Sequence, residues 1–136
     1  MTALRVLVVE DELLIQDAVV MVVEDVPGCH VVGAVDRADA ALELMSRTPA
    51  DLALLDIKLP GALDGVDLAH ELRRRHGTPV VFLSGSGDPA TVGRIEAFGP
   101  VAFLRKPFHP QELKSLLANR IAGYGQPDIA QSGGRA

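Results

Sequence analysis

The sequence is poor in the residues that covalent cross-links, thiolate metal sites and membrane spans require. Its 136 residues include one cysteine, Cys29, which excludes an intrachain disulfide and a zinc site built from several cysteines. The apolar stretches are far shorter than the roughly 20 residues of a transmembrane helix. Residues 1–4 lead directly into a strand-like run without a basic head or a cleavage site, so we predict a cytoplasmic protein without membrane contact.

Basic residues are also scarce relative to acidic ones. The chain has 13 Lys and Arg against 18 Asp and Glu, and a formal net charge of −5. Sequence-independent binding of nucleic acid needs a basic surface, so we expect no direct nucleic-acid partner. The composition leaves protein partners open.

The length fits one domain. Residues 123–136, GYGQPDIAQSGGRA, contain four glycines and no hydrophobic periodicity. We therefore predict a domain over residues 1–122 and a flexible tail over 123–136.

Five short runs rich in valine and leucine alternate with segments of helical spacing. Continuous rather than alternating apolar runs are typical of strands buried on both faces, as in a parallel sheet. This order predicts an α/β fold, a doubly wound (βα)5 sandwich with a five-stranded parallel sheet. The predicted strands are Arg5–Val9, His30–Val35, Asp51–Leu55, Pro79–Leu83 and Val101–Leu104.

The first and third predicted helices carry the clearest patterns. In the first, at about residues 12–25, Leu14, Ile15, Ala18, Val19 and Val22 share one face at helical spacing and are predicted to face the core. The third helix is predicted to begin at a capping aspartate at position 64 and to end at a glycine at position 77.

Polar side chains follow four of the five predicted strands. The carboxyl ends of parallel strands meet at one edge of the sheet, where sites of α/β proteins form. Clustered carboxylates repel one another unless a cation intervenes, and their oxygens suit Mg²⁺. A metal, a lysine and a hydroxyl around one carboxylate predict phosphoryl transfer to that carboxylate. The residues concerned are Glu10, Asp11, Glu12, Asp56, Ser84 and Lys106.

The sequence resembles the receiver domains of bacterial two-component response regulators over about residues 4–121. The matching stretches are VLVVEDE, LALLDIKLPG, LDGVDLAHELR, VVFLSGSGD and FLRKPF. The resemblance implies the CheY-like (flavodoxin-like) strand order 2-1-3-4-5. It also implies a phosphoprotein of a phosphorelay, which receives phosphoryl from a histidine kinase or a histidine phosphotransfer protein.

The resemblance also implies a role for each matching residue. Asp56 is the expected phosphoacceptor. Asp11 and Asp56 are expected to bind Mg²⁺ directly, Glu10 through water, and Lys58 through its backbone carbonyl. No other cofactor is expected.

Lys106 and Ser84 are expected to contact the phosphoryl oxygens. Phe103 matches the aromatic residue that, together with Ser84, changes its conformation when the domain is phosphorylated. Lys58 and Ser86 match positions that tune the lifetime of the aspartyl phosphate, and we predict slow autodephosphorylation. The chain departs from the commonest family pattern at Glu10, where aspartate is more usual.

The resemblance leaves three readings of the function open. The chain is expected to be a stand-alone receiver, not an enzyme beyond its own phosphorylation and dephosphorylation. Without an output domain, it is expected to signal through the surface of the fourth helix, fifth strand and fifth helix, about residues 90–117. The alternatives are a receiver-like binding module that carries no phosphate and a receiver domain cut from a longer protein. A phosphatase or mutase is disfavoured, because Lys58 stands where such enzymes have a second aspartate.

Overall fold

The computed structural model describes residues 3–85 and 87–123. Within this part of the chain no helix is both long and apolar enough to cross a membrane. Strands and helices alternate as the sequence predicts. In chain order they are β1 (Leu4–Val9), α1 (Leu13–Glu24), β2 (Cys29–Val35), α2 (Ala38–Arg47), β3 (Leu52–Asp56), α3 (Gly65–His76), β4 (Val80–Ser84), α4 (Pro89–Phe98), β5 (Ala102–Arg105) and α5 (Pro110–Gly123).

The five strands form one parallel sheet in the order β2-β1-β3-β4-β5. This arrangement confirms the predicted doubly wound fold and its strand order. The strands β3, β4 and β5 each end one residue later than predicted, because their ladders continue: Asp56 is in register with Leu83, and Ser84 with Arg105. Asp56 and Ser84 are therefore the last residues of β3 and β4.

Two hydrophobic layers cover the two faces of the sheet. Along β3, Ala53 and Leu55 pack in the layer that contains residues of α2, α3 and α4, whereas Leu52 and Leu54 pack in the layer of α1 and α5. Successive side chains of a strand point to opposite faces, so a strand between two helical layers needs apolar residues at every position. This explains the continuous apolar runs of the sequence.

The predicted core face of α1 is confirmed for Ile15, Val19 and Val22, which pack in the core layer, and is wrong for Leu14 and Ala18. Leu14 is 85% exposed and Ala18 is exposed, whereas Val19 and Val23 are fully buried. Val23 is not among the residues that the sequence pattern places on the core face. This helix carries apolar residues on all sides, so its hydrophobic periodicity does not fix which face packs on the sheet.

The start of α3 is held tightly against the end of β3. Asp64 accepts a hydrogen bond from the Asp67 amide (2.9 Å), and the Asp67 side chain accepts one from the Asp64 amide (3.1 Å), which confirms the predicted cap. A Cβ atom at Gly65 would lie 1.9 Å from the carbonyl oxygen of Asp56. Only glycine therefore permits this close approach.

The end of the chain is described in part. The helix α5 includes Gly123, which the sequence analysis assigned to the tail. The rest of the predicted tail lies outside the described residues.

Candidate functional site

The carboxyl ends of β1, β3, β4 and β5 surround a cavity of about 340 Å³. It lies where the predicted strand-end residues converge. Glu10, which precedes Asp11 in the chain, is fully buried. The cavity is lined by Asp11, Glu12, Asp56, Lys58, Ser84, Gly85 and Lys106.

Asp56 is a buried carboxylate with a cation nearby. The residue is 6% exposed, and its Oδ1 lies 3.4 Å from Lys106 Nζ. Burial, followed by the negative charge of Glu10, raises the pKa of Asp56 to about 6 from the ordinary 3.8, although Lys106 opposes this rise. The strand end thus holds a carboxylate that is costly to ionise without a further positive charge.

Lys106 is bound most closely by Glu10. Its Nζ donates to Glu10 Oε1 at 2.6 Å, and Glu10 Oε2 accepts from the Glu12 amide at 3.1 Å. Burial acts to lower the pKa of Lys106, but the hydrogen bond to Glu10 and the charge of Asp56 outweigh it and raise that pKa above 10.5. Lys106 therefore remains a cation between two carboxylates.

The carboxylates are close enough to share a metal ion. One oxygen atom from each of Glu10, Asp11 and Asp56 can be chosen so that all lie within 4.8 Å of one another. Three carboxylates provide the hard oxygen ligands that Mg²⁺ prefers. The donor set therefore fits the expected Mg²⁺. Lys58, whose carbonyl was expected to complete it, lines the same cavity.

Ser84 lines the same cavity from the end of β4. It is 1% exposed, and its carbonyl accepts from the Lys106 amide at 2.8 Å, which joins the ends of β4 and β5. Lys58 is exposed at the mouth, and its charge contributes to lowering the pKa of Asp88 after the hydrogen bonds from Thr91.

One predicted residue stands apart from this cluster. Phe103, on β5, is partly buried and packs against the core layer of α2, α3 and α4 rather than lining the cavity. Ser86 lies outside the described residues.

The sequence analysis missed Gln16. Its side-chain amide donates to the carbonyl oxygens of Glu10 and Val35, each at 3.0 Å. Its targets are backbone atoms, which leave no pattern in the sequence, so Gln16 looked like an ordinary polar residue of α1.

An apolar groove adjoins the polar cavity. It has a volume of about 480 Å³ and shares Glu12 and Lys106 with that cavity. We call it the α1–α5 groove. Its other lining residues are Leu14, Ile15, Ala18, Val19, Val22, Pro107, Phe108 and Pro110.

Comparison with curated proteins finds relatives among bacterial regulators. The chain is 36% identical over 110 residues to the transcriptional regulatory protein PdtaR of Mycobacterium tuberculosis. The aligned region covers 80% of this chain and 52% of PdtaR. It is 34% identical over 105 residues to a protein-glutamate methylesterase/protein-glutamine glutaminase of Anaeromyxobacter dehalogenans, covering 76% of this chain and 29% of the relative. The chain thus spans about half or less of these two relatives.

Solved structures give the same assignment. The signal receiver domain of a modulated diguanylate cyclase from Desulfovibrio desulfuricans superposes with a TM-score of 0.79 at 32% identity, covering 87% of this chain and 93% of that one. A CheY-like receiver domain protein from Methanospirillum hungatei gives a TM-score of 0.78 at 25% identity, covering 89% of this chain and 95% of that one. The model of the response regulator receiver domain family matches residues 6–118. The chain therefore belongs to the response regulator receiver domain family.

Proposed function

We propose that this receiver accepts a phosphoryl group on Asp56, with Mg²⁺ as cofactor. The observation that carries the proposal is the buried Asp56 carboxylate, 3.4 Å from Lys106 Nζ and within metal-sharing distance of Glu10 and Asp11. A carboxylate so surrounded by acidic groups gains from positive charge, and an incoming phosphoryl group needs the same neutralisation. The only reaction that we assign to the chain is its own phosphorylation and dephosphorylation.

In the proposed reaction, one Asp56 oxygen attacks the phosphorus of the donor. An O–P bond forms, and the bond from phosphorus to the donor's leaving atom, a histidine nitrogen in a kinase or phosphotransfer protein, breaks. When bound, Mg²⁺ neutralises charge on the transferred group. Asp11, Asp56 and the Lys58 carbonyl would hold it directly, and Glu10 through water.

The chain's own cation and hydroxyl would stabilise the product. Lys106, already positioned between Glu10 and Asp56, would pair with one phosphoryl oxygen. The Ser84 hydroxyl would donate to another. The ends of β4 and β5 that carry these two side chains are joined by the hydrogen bond from Lys106 N to Ser84 O, which supports a shared role.

We further propose that the donor docks a helix in the α1–α5 groove. The groove opens next to Lys106, so a helix lying there could present a phosphohistidine to Asp56. Leu14, 85% exposed at the groove, offers a large apolar contact to such a helix. Leu14→Arg is expected to slow transfer from a histidine kinase at least tenfold while leaving phosphorylation by acetyl phosphate unchanged. Equal slowing with both donors would contradict docking at this groove.

We place the output on the surface of α4, β5 and α5, about residues 90–117, where a downstream protein would bind. Ser84 and Phe103 are the proposed switch. The support is positional: Ser84 is in register with Arg105, and Phe103 with Phe82, so β5 lies directly beside the phosphoryl pocket.

Lys58 and Ser86 are proposed to tune the lifetime of the aspartyl phosphate. Lys58 is exposed at the mouth of the cavity, where its side chain can obstruct an attacking water. Lys58→Ala should therefore accelerate the loss of phosphate in buffer. An unchanged decay rate would remove this role.

The proposed function is tested by intact mass after incubation with acetyl phosphate, with and without Mg²⁺, beside Asp56→Asn. The expected result is a Mg²⁺-dependent gain of one phosphoryl group that the variant lacks. No gain under any condition would contradict the proposal and favour a receiver-like module that binds partners without phosphate.

A further inference from the structure

The amide of Gln16 joins the ends of two strands next to the phosphoryl pocket. It donates to the carbonyl oxygen of Glu10, which follows β1, and to that of Val35, the last residue of β2. The Glu10 amide also donates to Val35 O at 3.0 Å. Because both partners are carbonyl oxygens, only the NH₂ end of the side chain can satisfy them. The backbone of Glu10 is thus fixed from two sides.

The side chain of Glu10 transmits that backbone position to Lys106. It is 0% exposed, and each of its oxygens accepts from a different donor, Lys106 Nζ and the Glu12 amide. A buried carboxylate held in this way has little freedom to follow the lysine. The position of Lys106, which is 15% exposed at its side chain, is therefore set by where Glu10 stands.

We propose that Gln16 is a positioning residue for phosphoryl transfer: through the Glu10 backbone it holds Lys106 over Asp56. The chain of contacts runs from the Gln16 amide to Glu10 O, then from Glu10 Oε1 to Lys106 Nζ, which lies 3.4 Å from Asp56 Oδ1. Transfer gains when a charge is in place before the reaction, since no reorganisation is then needed. This inference rests on the proposed function.

A purely structural role for Gln16 would give a different result. The same two hydrogen bonds could simply tie α1 to the sheet, and removing them would then lower stability without involving Lys106. A positioning residue must instead lose its effect when the group that it positions is absent. A double-mutant cycle between Gln16 and Lys106 separates the two roles.

The cycle uses Gln16→Met, which keeps the length of the side chain and removes both donors, together with Lys106→Met and the double variant. The readout is the rate of Asp56 phosphorylation by acetyl phosphate, measured by intact mass. Gln16→Met is expected to slow the wild-type reaction about fivefold, the equivalent of one or two lost hydrogen bonds. In the Lys106→Met background it should cause no further slowing.

A matched control is Ser46→Ala on α2, which also removes a hydrogen bond from a side chain to a backbone carbonyl, Ser46 Oγ to Glu43 O at 2.6 Å. This exposed residue lies outside the site, and its rate should equal that of the wild type. An unchanged rate for Gln16→Met, or the same fivefold loss with and without Lys106, would overturn the positioning role.

A second readout separates failure of this inference from failure of the proposed function. If the wild-type protein takes up no phosphoryl group, the proposed function fails, and the same cycle is then read from unfolding equilibria in denaturant. Positioning predicts coupling of at least about threefold between the two sites in the folding constant. Additive effects would overturn it. If Lys106→Met does not fold, Glu10→Gln replaces it in the cycle.

Discussion

Replacing Asp56, the proposed phosphoacceptor, by asparagine should make this protein more stable at neutral pH. Asp56→Asn keeps the shape of the side chain and removes its charge. The residue is only 6% exposed and lies close to the buried Glu10. The pKa of Asp56 is about 6 in the folded protein against the ordinary 3.8, with burial as the largest cause. Ionisation of this carboxyl therefore opposes folding.

The size of the effect follows from the two pKa values. A difference of one pKa unit is worth about 1.4 kcal/mol, so the rise to about 6 corresponds to about 3 kcal/mol at pH 7. The folded state binds the proton more tightly than the unfolded chain does. The stability that protonation contributes is fully present below pH 3.8 and is lost as the pH rises through about 6. Lys106 keeps its 2.6 Å partner, Glu10, in the variant.

The assay is denaturant unfolding of the wild type and Asp56→Asn in buffer with a chelator, across pH 4 to 7.5. The chelator matters because a bound divalent cation would stabilise the ionised wild type and hide the difference. We expect the variant to be more stable by about 3 kcal/mol at pH 7. This advantage should shrink towards zero near pH 4, where the carboxyl of the wild type is largely neutral in the folded protein.

Two results would refute this reasoning. If the variant is no more stable than the wild type at pH 7, the Asp56 carboxylate is not costly in the fold. If the variant is equally advantaged at pH 4 and pH 7, its gain comes from contacts of the new amide and not from the lost charge.

Three further predictions concern the helices around the site. Gly65→Ala should lower the free energy of unfolding in denaturant by about 3 kcal/mol, because the added methyl would overlap the carbonyl of Asp56. A loss under about 1 kcal/mol would contradict this packing. Gly93 lies in α4, and an added Cβ atom would meet nothing within 4 Å. Gly93→Ala should therefore raise the free energy of unfolding by about 0.5–1 kcal/mol. No gain would show that the space around position 93 is not open. Arg94→Ala breaks a partly exposed ion pair to Asp64 (2.6 Å). Thermal unfolding of the variant should show a loss of stability below about 1 kcal/mol. A larger loss would mean that Arg94 supports the start of α3.

The sequence predicted the fold well because its strongest signals are those that a parallel sheet requires. Strands buried on both faces must be apolar at each position, as residues 52–55 are. The start of α3 is marked by Asp64, whose side chain caps the helix. The phase of α1 was predictable only in part. Its apolar residues surround the helix, and only the packing against the sheet decides that Val23 is buried and Leu14 exposed.

The candidate site was predictable in its membership and not in its pairing. Parallel topology brings strand ends together, which is enough to collect Asp56 and Lys106 in one cavity. That Glu10 holds Lys106 more closely than Asp56 does depends on side-chain reach. The part of Gln16 was invisible, since it acts on backbone carbonyls that any sequence supplies.

The end of α4 is secured by one arginine of the neighbouring helix. Arg73 of α3 donates to the carbonyls of Phe98 (2.8 Å) and Gly99 (3.3 Å), and its guanidinium lies 3.5 Å from the centroid of the Phe98 ring. Phe98 itself is buried against Phe82. The helix is thus held at its C-terminal end by Arg73, while its N-cap, Asp88, follows the loop beside the candidate site. Arg94 also ties the middle of α4 to Asp64, so a displacement at Asp88 would move the first turns of α4 against a second half that is held in place.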